Sequence, residues 1–212
     1  MIALLGLLCN PLTSAAADLT MGKLLVAAEE VHGSGFAQTV ILLLHYDEHG
    51  AQGLVINRPM DVQPVDVFAE NEILAEYSGT LYWGGPVQVS TMRALVRNDT
   101  APVNGVAIFG DVYQVPLDES LSDYAMTGAE LRFFVGYAGW APGQLERELR
   151  FDSWHVLPAS EEIVFADDPG AVWRRLSPPQ EIRASVVWRR DRDTGNPAAM
   201  AQVAQRPSPS RQ

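Results

Sequence analysis

The chain has 212 residues, of which 47% are hydrophobic and 19% are charged, and its formal net charge is −11 at pH 7. This apolar fraction excludes a globally disordered chain, and the length fits one folded domain better than two. The charge is uneven, because residues 22–181 hold 23 acidic and nine basic side chains, whereas residues 183–212 hold six arginines and two aspartates. Since nucleic-acid affinity comes largely from Lys and Arg, the acidic body is not expected to bind nucleic acid.

The first 17 residues have the pattern of a secretory leader. Residues 2–9 are apolar, and Ala15 and Ala17 are the small residues that a signal peptidase accepts. The segment is shorter than the ~20 apolar residues that span a bilayer, so no transmembrane segment is expected after its removal. Cleavage predicts a periplasmic or secreted protein without cysteine. The alternative is a cytoplasmic protein that starts at Met21.

The predicted organisation has three parts: a signal peptide over 1–17, one folded domain over 21–182 and a tail over 183–212. The tail is rich in Pro, Ser, Gln and Arg, a composition typical of a solvated, disordered end. Contact between its arginines and a polyanion is the alternative.

Apolar runs in the first half of the domain predict strands. They lie at 23–28, 36–46 and 52–56. The turn at 47–50 favours an antiparallel hairpin between the second and third runs. Pro59 ends this hairpin because proline has no amide donor. A helix is expected from Pro64 to Glu76.

The second half predicts more short strands and two helices. The strands are expected at 81–83, 92–96, 105–109, 112–117, 131–137, 154–157 and 163–165. One helix runs from Gly143 to about Arg150 with Leu145 and Leu149 facing the core, and another starts at Pro169. The absence of a regular βαβ alternation predicts an α+β fold with a mixed, largely antiparallel sheet.

The sequence contains no dinucleotide-binding fingerprint, Walker loop, HExxH pair or GxSxG elbow. We therefore predict no catalytic residue, metal or cofactor. His45 and His49 are four residues apart, but a strand followed by a turn does not place them on one face as a helix would. The enzymatic alternative is a hydrolase that uses His45 with Asp47 and a hydroxyl or water.

Three glycine-containing segments carry aromatic, Arg, Asn or Gln side chains where the backbone can approach a partner closely. The candidate ligand- or partner-binding residues are Asn57, Arg58, Trp83, Gly84, Gly85, Tyr137, Trp140 and Gln144. In the functional interpretation these loops form one pocket with Arg58 and Gln144 as polar contacts. In the structural alternative the glycines form tight turns, and Trp83, Tyr137 and Trp140 fill the core.

A family resemblance covers roughly residues 21–173. It rests on four blocks in order: GKLLVAA, FAQTVILLLHYDEHGAQGLVINRP, LYWGGPV and VGYAGWAPGQLERELRFDSW. These blocks resemble the signature of the bacterial YqgE/AlgH family. The resemblance implies an α+β fold with a bifurcated, partly barrel-like sheet flanked by helices, a cytosolic location and no established enzymatic activity. Some members have been described as regulators of gene expression, alginate production among them.

The sequence therefore predicts a non-enzymatic binding or regulatory module that acts on an unknown protein or small ligand. The first alternative is the hydrolase described above. The second is a transcriptional regulator, as suggested for some family members, which the acidic body opposes if DNA contact is direct.

Overall fold

The structure is a computed structural model that describes residues 19–29, 31, 35–62, 64–67, 77, 79–118, 121, 124 and 129–177. The predicted leader (1–17), the tail (183–212) and the predicted helical residues 68–76 lie outside these ranges. The expectations for these segments remain predictions.

The described residues form nine strands and four helices. The strands are β1 (Lys23–Ala27), β2 (Val40–Asp47), β3 (Gly50–Val55), β4 (Leu81–Trp83), β5 (Val87–Arg97), β6 (Val106–Phe109), β7 (Val112–Val115), β8 (Glu130–Trp140) and β9 (Trp154–Pro158). The helices are α1 (Pro64–Val67), α2 (Gln144–Arg150), α3 (Glu161–Val164) and α4 (Pro169–Leu176). None of the described helices is long and apolar enough to cross a membrane.

The predicted hairpin is confirmed, because β2 and β3 pair in antiparallel fashion. However, β2 begins at Val40, four residues later than predicted. The preceding residues form a turn in which both the backbone N–H and the hydroxyl of Thr39 donate to the Phe36 carbonyl. Gln38 has a φ of 57°, in the left-handed region, which a strand cannot accommodate.

The predicted strand at 163–165 is wrong, because this segment lies in and just after helix α3. The backbone N–H groups of Val164 and Phe165 donate to the carbonyls of Ser160 and Glu161, which is helical pairing. Three apolar residues are too few to separate a strand from one buried helical turn by periodicity. By contrast, the predicted α2 is confirmed, with Leu145 and Leu149 both buried.

The strands form one sheet in the order β6-β7-β5-β8-β3-β2-β1-β9. β4 stands off this path and pairs with β8, and it makes the only parallel pairing among the described strands. One edge of β8 is therefore shared by β4 and, farther along, by β3. The sheet is bifurcated at β8 and curls into a half-barrel with a few helices, which confirms the predicted α+β class.

At the fork in β8, the chain after β4 comes close to the β8 backbone at glycines, which have no side chain to keep the two backbones apart. Gly136 has a φ of 67° and lies where four residues of β5 bulge opposite it. A Cβ on Gly84 would collide with the Gly136 carbonyl oxygen, and one on Gly85 would collide with the Tyr137 backbone. Side chains alternate between the two faces of a strand, so an irregularity of one residue moves the following side chains to the opposite face. Before Gly136, Phe133 and Val135 belong to one cluster of the core, whereas after it Ala138 and Trp140 belong to another.

The core has three clusters. The first packs side chains of β1, β2, β3 and β8 against α3 and α4, with Phe134 and Trp173 among its largest members. The second packs alternate residues of β1, β2 and β3 against α2, and it includes Trp140 and Trp154. The third covers β4, β5 and the first half of β8 around Phe133. Alternation along each strand separates the first cluster from the other two.

Candidate functional site

A polar cavity lies between the turn before β2, the end of β3 and helix α4. Its volume is about 200 Å³. The lining residues are Ala37, Gln38, Asn57, Arg58, Gly170, Trp173 and Arg174. Two of the eight predicted site residues, Asn57 and Arg58, are in this set.

Asn57 fixes the floor of the cavity. Its side chain is 7% exposed. The Asn57 Oδ1 accepts from the Val40 N–H at 2.8 Å, and the Nδ2 donates to the Gln38 carbonyl at 2.9 Å. Both bonds join the end of β3 to the turn before β2. Because buried polar groups need such partners, Asn57 holds the strained Gln38 backbone in place.

Arg58 is half-buried and is held on two sides. Its Nη1 and Nη2 atoms donate to the carbonyls of Gly35 and Ala37, each at 2.7 Å, and its guanidinium carbon lies 5.3 Å from the centre of the Trp83 ring. Burial lowers the pKa of Arg58 below its ordinary value. Within the described residues Arg58 forms no ion pair. Its guanidinium, which has five N–H groups, makes no further hydrogen bond to a described residue.

Helix α4 supplies the opposite wall. The Trp173 indole N–H donates to the Ala27 carbonyl at 2.7 Å, which ties α4 to β1. Gly170, in the first turn, lines the cavity with backbone alone, because it has no side chain. Arg174 is exposed on the cavity side, and no carboxylate of the described chain pairs with it. The cavity is thus bounded by anchored groups and carries two arginines.

Gly84, Gly85 and Tyr137 lie at the fork of the sheet. The Gly84 N–H donates to the Val135 carbonyl, and its own carbonyl accepts from the Val55 N–H. Its neighbour Gly85 meets the Tyr137 backbone. The Tyr137 ring lies under the Arg93 guanidinium, at 4.6 Å. These glycines approach backbone of this chain, so their role in the structure is the joining of strands.

Trp140 and Gln144 meet at Glu148 of α2. The indole N–H groups of Trp140 and Trp154 donate to Glu148 Oε2 at 2.9 and 2.8 Å. The Gln144 Nε2 donates to Glu148 Oε1 at 2.9 Å, and its Oε1 accepts from the Ala141 N–H at 3.1 Å. Every polar group of this arrangement has a partner within the chain.

A row of aromatic rings extends from Arg58, at the cavity, to Trp140, beside Glu148. Phe36 contacts Trp83 at 5.9 Å and Trp154 at 6.2 Å between ring centres, and Trp154 contacts Trp140 at 6.1 Å. Arg58 caps one end of the row, over Trp83. Gln144 does not line the cavity that contains Arg58. The structure therefore gathers the predicted residues into three groups and does not put them around one cavity.

The sequence did not point to the other five residues that line the cavity: Ala37, Gln38, Gly170, Trp173 and Arg174. Trp173 and Arg174 are more than a hundred positions from Asn57, and nothing in a helical Trp-Arg-Arg run distinguishes a cavity wall from a solvated face. Gln38 could have been noticed only as a polar residue within an otherwise apolar segment.

The alternative catalytic pair is at the exposed end of β2. His45 Nε2 lies 3.0 Å from Asp47 Oδ2, and both side chains are open to solvent. Donation from the His49 backbone N–H, with a smaller effect of nearby His45, lowers the pKa of Asp47. No group of three or more possible metal ligands exists among the residues that the structure describes.

A second cavity, of about 220 Å³, lies in the loop after β5. It is lined by Asn98, Thr100, Ala101, Pro102, Val103, Asn104 and Tyr124. None of these side chains carries a charge at neutral pH, which distinguishes it from the arginine-lined cavity.

Comparison with known proteins places the chain in a family. A family model described as "DUF179: AlgH-like" matches residues 24–185. A UPF0301 protein of Chlorobium limicola is 35% identical over 161 residues, which are 74% of this chain and 84% of that protein. A UPF0301 protein of Streptomyces avermitilis is 33% identical over 172 residues, covering 78% of this chain and 89% of the relative.

Solved structures show the same fold. A crystal structure of a Corynebacterium diphtheriae protein matches with a TM-score of 0.66 and 27% identity, over 76% of this chain and 90% of the other. The solution structure of the AlgH protein from Pseudomonas aeruginosa matches with a TM-score of 0.55 over 89% of this chain and 95% of that chain, at 24% identity, which speaks for the fold alone. The chain therefore belongs to the YqgE/AlgH family, the AlgH-like or UPF0301 proteins.

Proposed function

We propose that this protein is a non-enzymatic binding module and that its ligand site is the cavity around Asn57 and Arg58. One observation carries the proposal. The walls of this cavity are fixed by interior hydrogen bonds of Asn57, Arg58 and Trp173, while Arg58 and Arg174 have no acidic partner in the described chain. A preformed cavity with a few convergent polar groups is the usual form of a small-ligand site.

The hydrolase alternative has less support. It needs a base, an orienting carboxylate and oxyanion-stabilising donors to converge on one substrate. In the described part of the chain, His45 has Asp47 beside it at the exposed end of β2, and neither residue lines either of the two cavities. Direct DNA recognition is opposed by the excess of acidic side chains in the body.

The test uses Gly170, which lines the cavity and has only ordinary contacts at the position of a Cβ, with Asp168 Oδ1 at 3.5 Å. The wild type is screened by ligand-detected NMR against small carboxylates, phosphates and neutral amides. Gly170→Phe should abolish the binding of cavity ligands because the ring occupies their space. Gly170→Ala is the matched control and should retain binding.

Thermal melts of both variants establish that they fold. A wild type that binds none of these compounds would refute the proposal. Binding that is equal in Gly170→Phe and wild type would also refute it, because the ligands would then lie elsewhere.

A further inference from the structure

We infer that the cavity around Asn57 and Arg58 takes a small anion, a compound whose carboxylate or phosphate group contacts Arg58 and Arg174. This inference rests on the proposed function and adds the chemical class of the ligand.

The charge of the cavity is opposite to that of the protein. Two of its lining side chains are cationic and none is acidic, although the chain has 26 acidic and 15 basic side chains. The acidic side chain near Gly170 is Asp168, whose Oδ1 accepts from the Ala171 N–H at 3.1 Å at the start of α4. Two like charges that line one cavity repel each other, and an anionic ligand that contacts both of them offsets that repulsion.

The available donors suit an oxyanion. Arg58 uses two N–H groups on the Gly35 and Ala37 carbonyls, and its position over Trp83 fixes its guanidinium. A guanidinium has five N–H groups, so donors remain. A fixed planar guanidinium can bind carboxylate or phosphate through two parallel bonds. Arg174, on the opposite wall, supplies a second cation to the same group.

The cavity size limits the ligand. A volume of about 200 Å³ is below the ~300–1,000 Å³ of pockets that hold drug-sized compounds. A nucleic-acid strand or a folded protein cannot enter such a space. The ligand is therefore a small molecule, and its charge is the main source of recognition.

The test measures the affinity of inorganic phosphate and of acetate, as probes for the two anion classes, from the Trp173 indole N–H signal in NMR. Sodium chloride at equal ionic strength is the salt control. Arg58→Gln and Arg174→Gln should each weaken binding by about tenfold, because each removes a charge-assisted contact. The matched control is Arg175→Gln, which removes the same charge from the next residue of α4, outside the cavity lining. Binding to this variant should stay within about twofold of wild type.

The relative affinities of phosphate and acetate show whether the site prefers a phosphate group or a carboxylate group. If Arg58→Gln fails to fold in a thermal melt, Arg174→Gln decides alone, because it lies on the surface. The inference is overturned if neither anion binds beyond the chloride control, or if Arg175→Gln weakens binding as much as Arg174→Gln. Neutral amides that bind in the cavity when anions do not would overturn the inference and leave the proposed function standing.

Discussion

Two corners of the molecule both gather polar side chains, but they differ in how many of these side chains have partners within the chain. The open corner comprises Gln38, Asn57, Arg58 and Arg174, and the closed corner comprises Trp140, Gln144, Glu148 and Trp154. In the closed corner, one carboxylate accepts from two indoles and one amide. In the open corner, two arginines have no acidic partner among the described residues. We therefore use unused polar capacity, more than the presence of Arg or Trp, to distinguish the proposed binding site from scaffold.

The largest expected effect is in the closed corner. Trp140 is 7% exposed and contacts the Trp154 ring. Trp140→Ala should lower the free energy of unfolding by about 3–5 kcal/mol, because it removes a large buried ring and leaves a cavity. Chemical denaturation would measure the loss. Phe151→Ala is the control, since Phe151 is 77% exposed, and its effect should stay within about 0.5 kcal/mol. Equal stability of the two variants would mean that Trp140 is not an anchor.

The next effect concerns the floor of the open corner. Asn57→Ala removes the acceptor of the Val40 N–H and the donor to the Gln38 carbonyl. We expect a loss of about 1–3 kcal/mol, because buried polar groups are left without partners. The measurement is again denaturation. Asn98→Ala, which removes one exposed bond to the Thr100 carbonyl, should cost far less. If both variants lose the same amount, Asn57 does not fix the turn.

The next two variants lose less stability, and they compare the two corners by ligand binding. Arg58→Ala should cost about 1–2 kcal/mol, because it removes the contact with Trp83 and two hydrogen bonds that are partly open to solvent. Gln144→Ala, at a half-exposed position, should cost about 0.5 kcal/mol. Of these two variants, only Arg58→Ala should weaken ligand binding, by about tenfold. Loss of binding in Gln144→Ala, in a variant that melts like wild type, would restore the single pocket predicted from the sequence.

The smallest effect appears at high pH, beside the closed corner. The hydrogen bond from the Tyr46 hydroxyl to Glu146 Oε1, at 2.7 Å, with a smaller contribution from burial, raises the pKa of Tyr46 from 10.0 to about 12. Below pH 10 this contribution to stability is complete. It is lost as the pH rises toward 12, because the unfolded chain ionises first.

Absorbance titration of phenolate in wild type and Tyr46→Phe isolates this group by difference. The subtraction matters because burial also raises the pKa of Tyr77 and Tyr82. The difference curve should have its midpoint near 12. A midpoint near 10 would show that the bond to Glu146 is absent in solution.

The sequence predicted the fold well where apolar runs were long. The last four residues of β1 and the first five of β2 are buried, and their Val, Ile and Leu content marks them as strands. The segment 163–165 was too short for its period to be measured, and it lies in and just after a helix. Periodicity also gave α2 correctly, because Leu145 and Leu149 are one turn apart.

The candidate site was less predictable because its walls are distant in sequence. The sequence pointed to Asn57 and Arg58, but their neighbours on α4 are brought there only by the tertiary packing of Trp173. Glycine spacing indicated close backbone approach, yet it could not tell whether the approaching group belongs to a ligand or to the chain. At Gly84 and Gly136 that group is backbone of this protein.

The most direct test of the central claim is a map of backbone amide shifts on the isotope-labelled protein, titrated with the tightest ligand from the screen. We predict the largest shifts at Gln38, Arg58 and Gly170, around the open corner. Shifts that are largest between Gln144 and Glu148, or around the second cavity at 98–104, would contradict the claim and move the binding site to that part of the molecule.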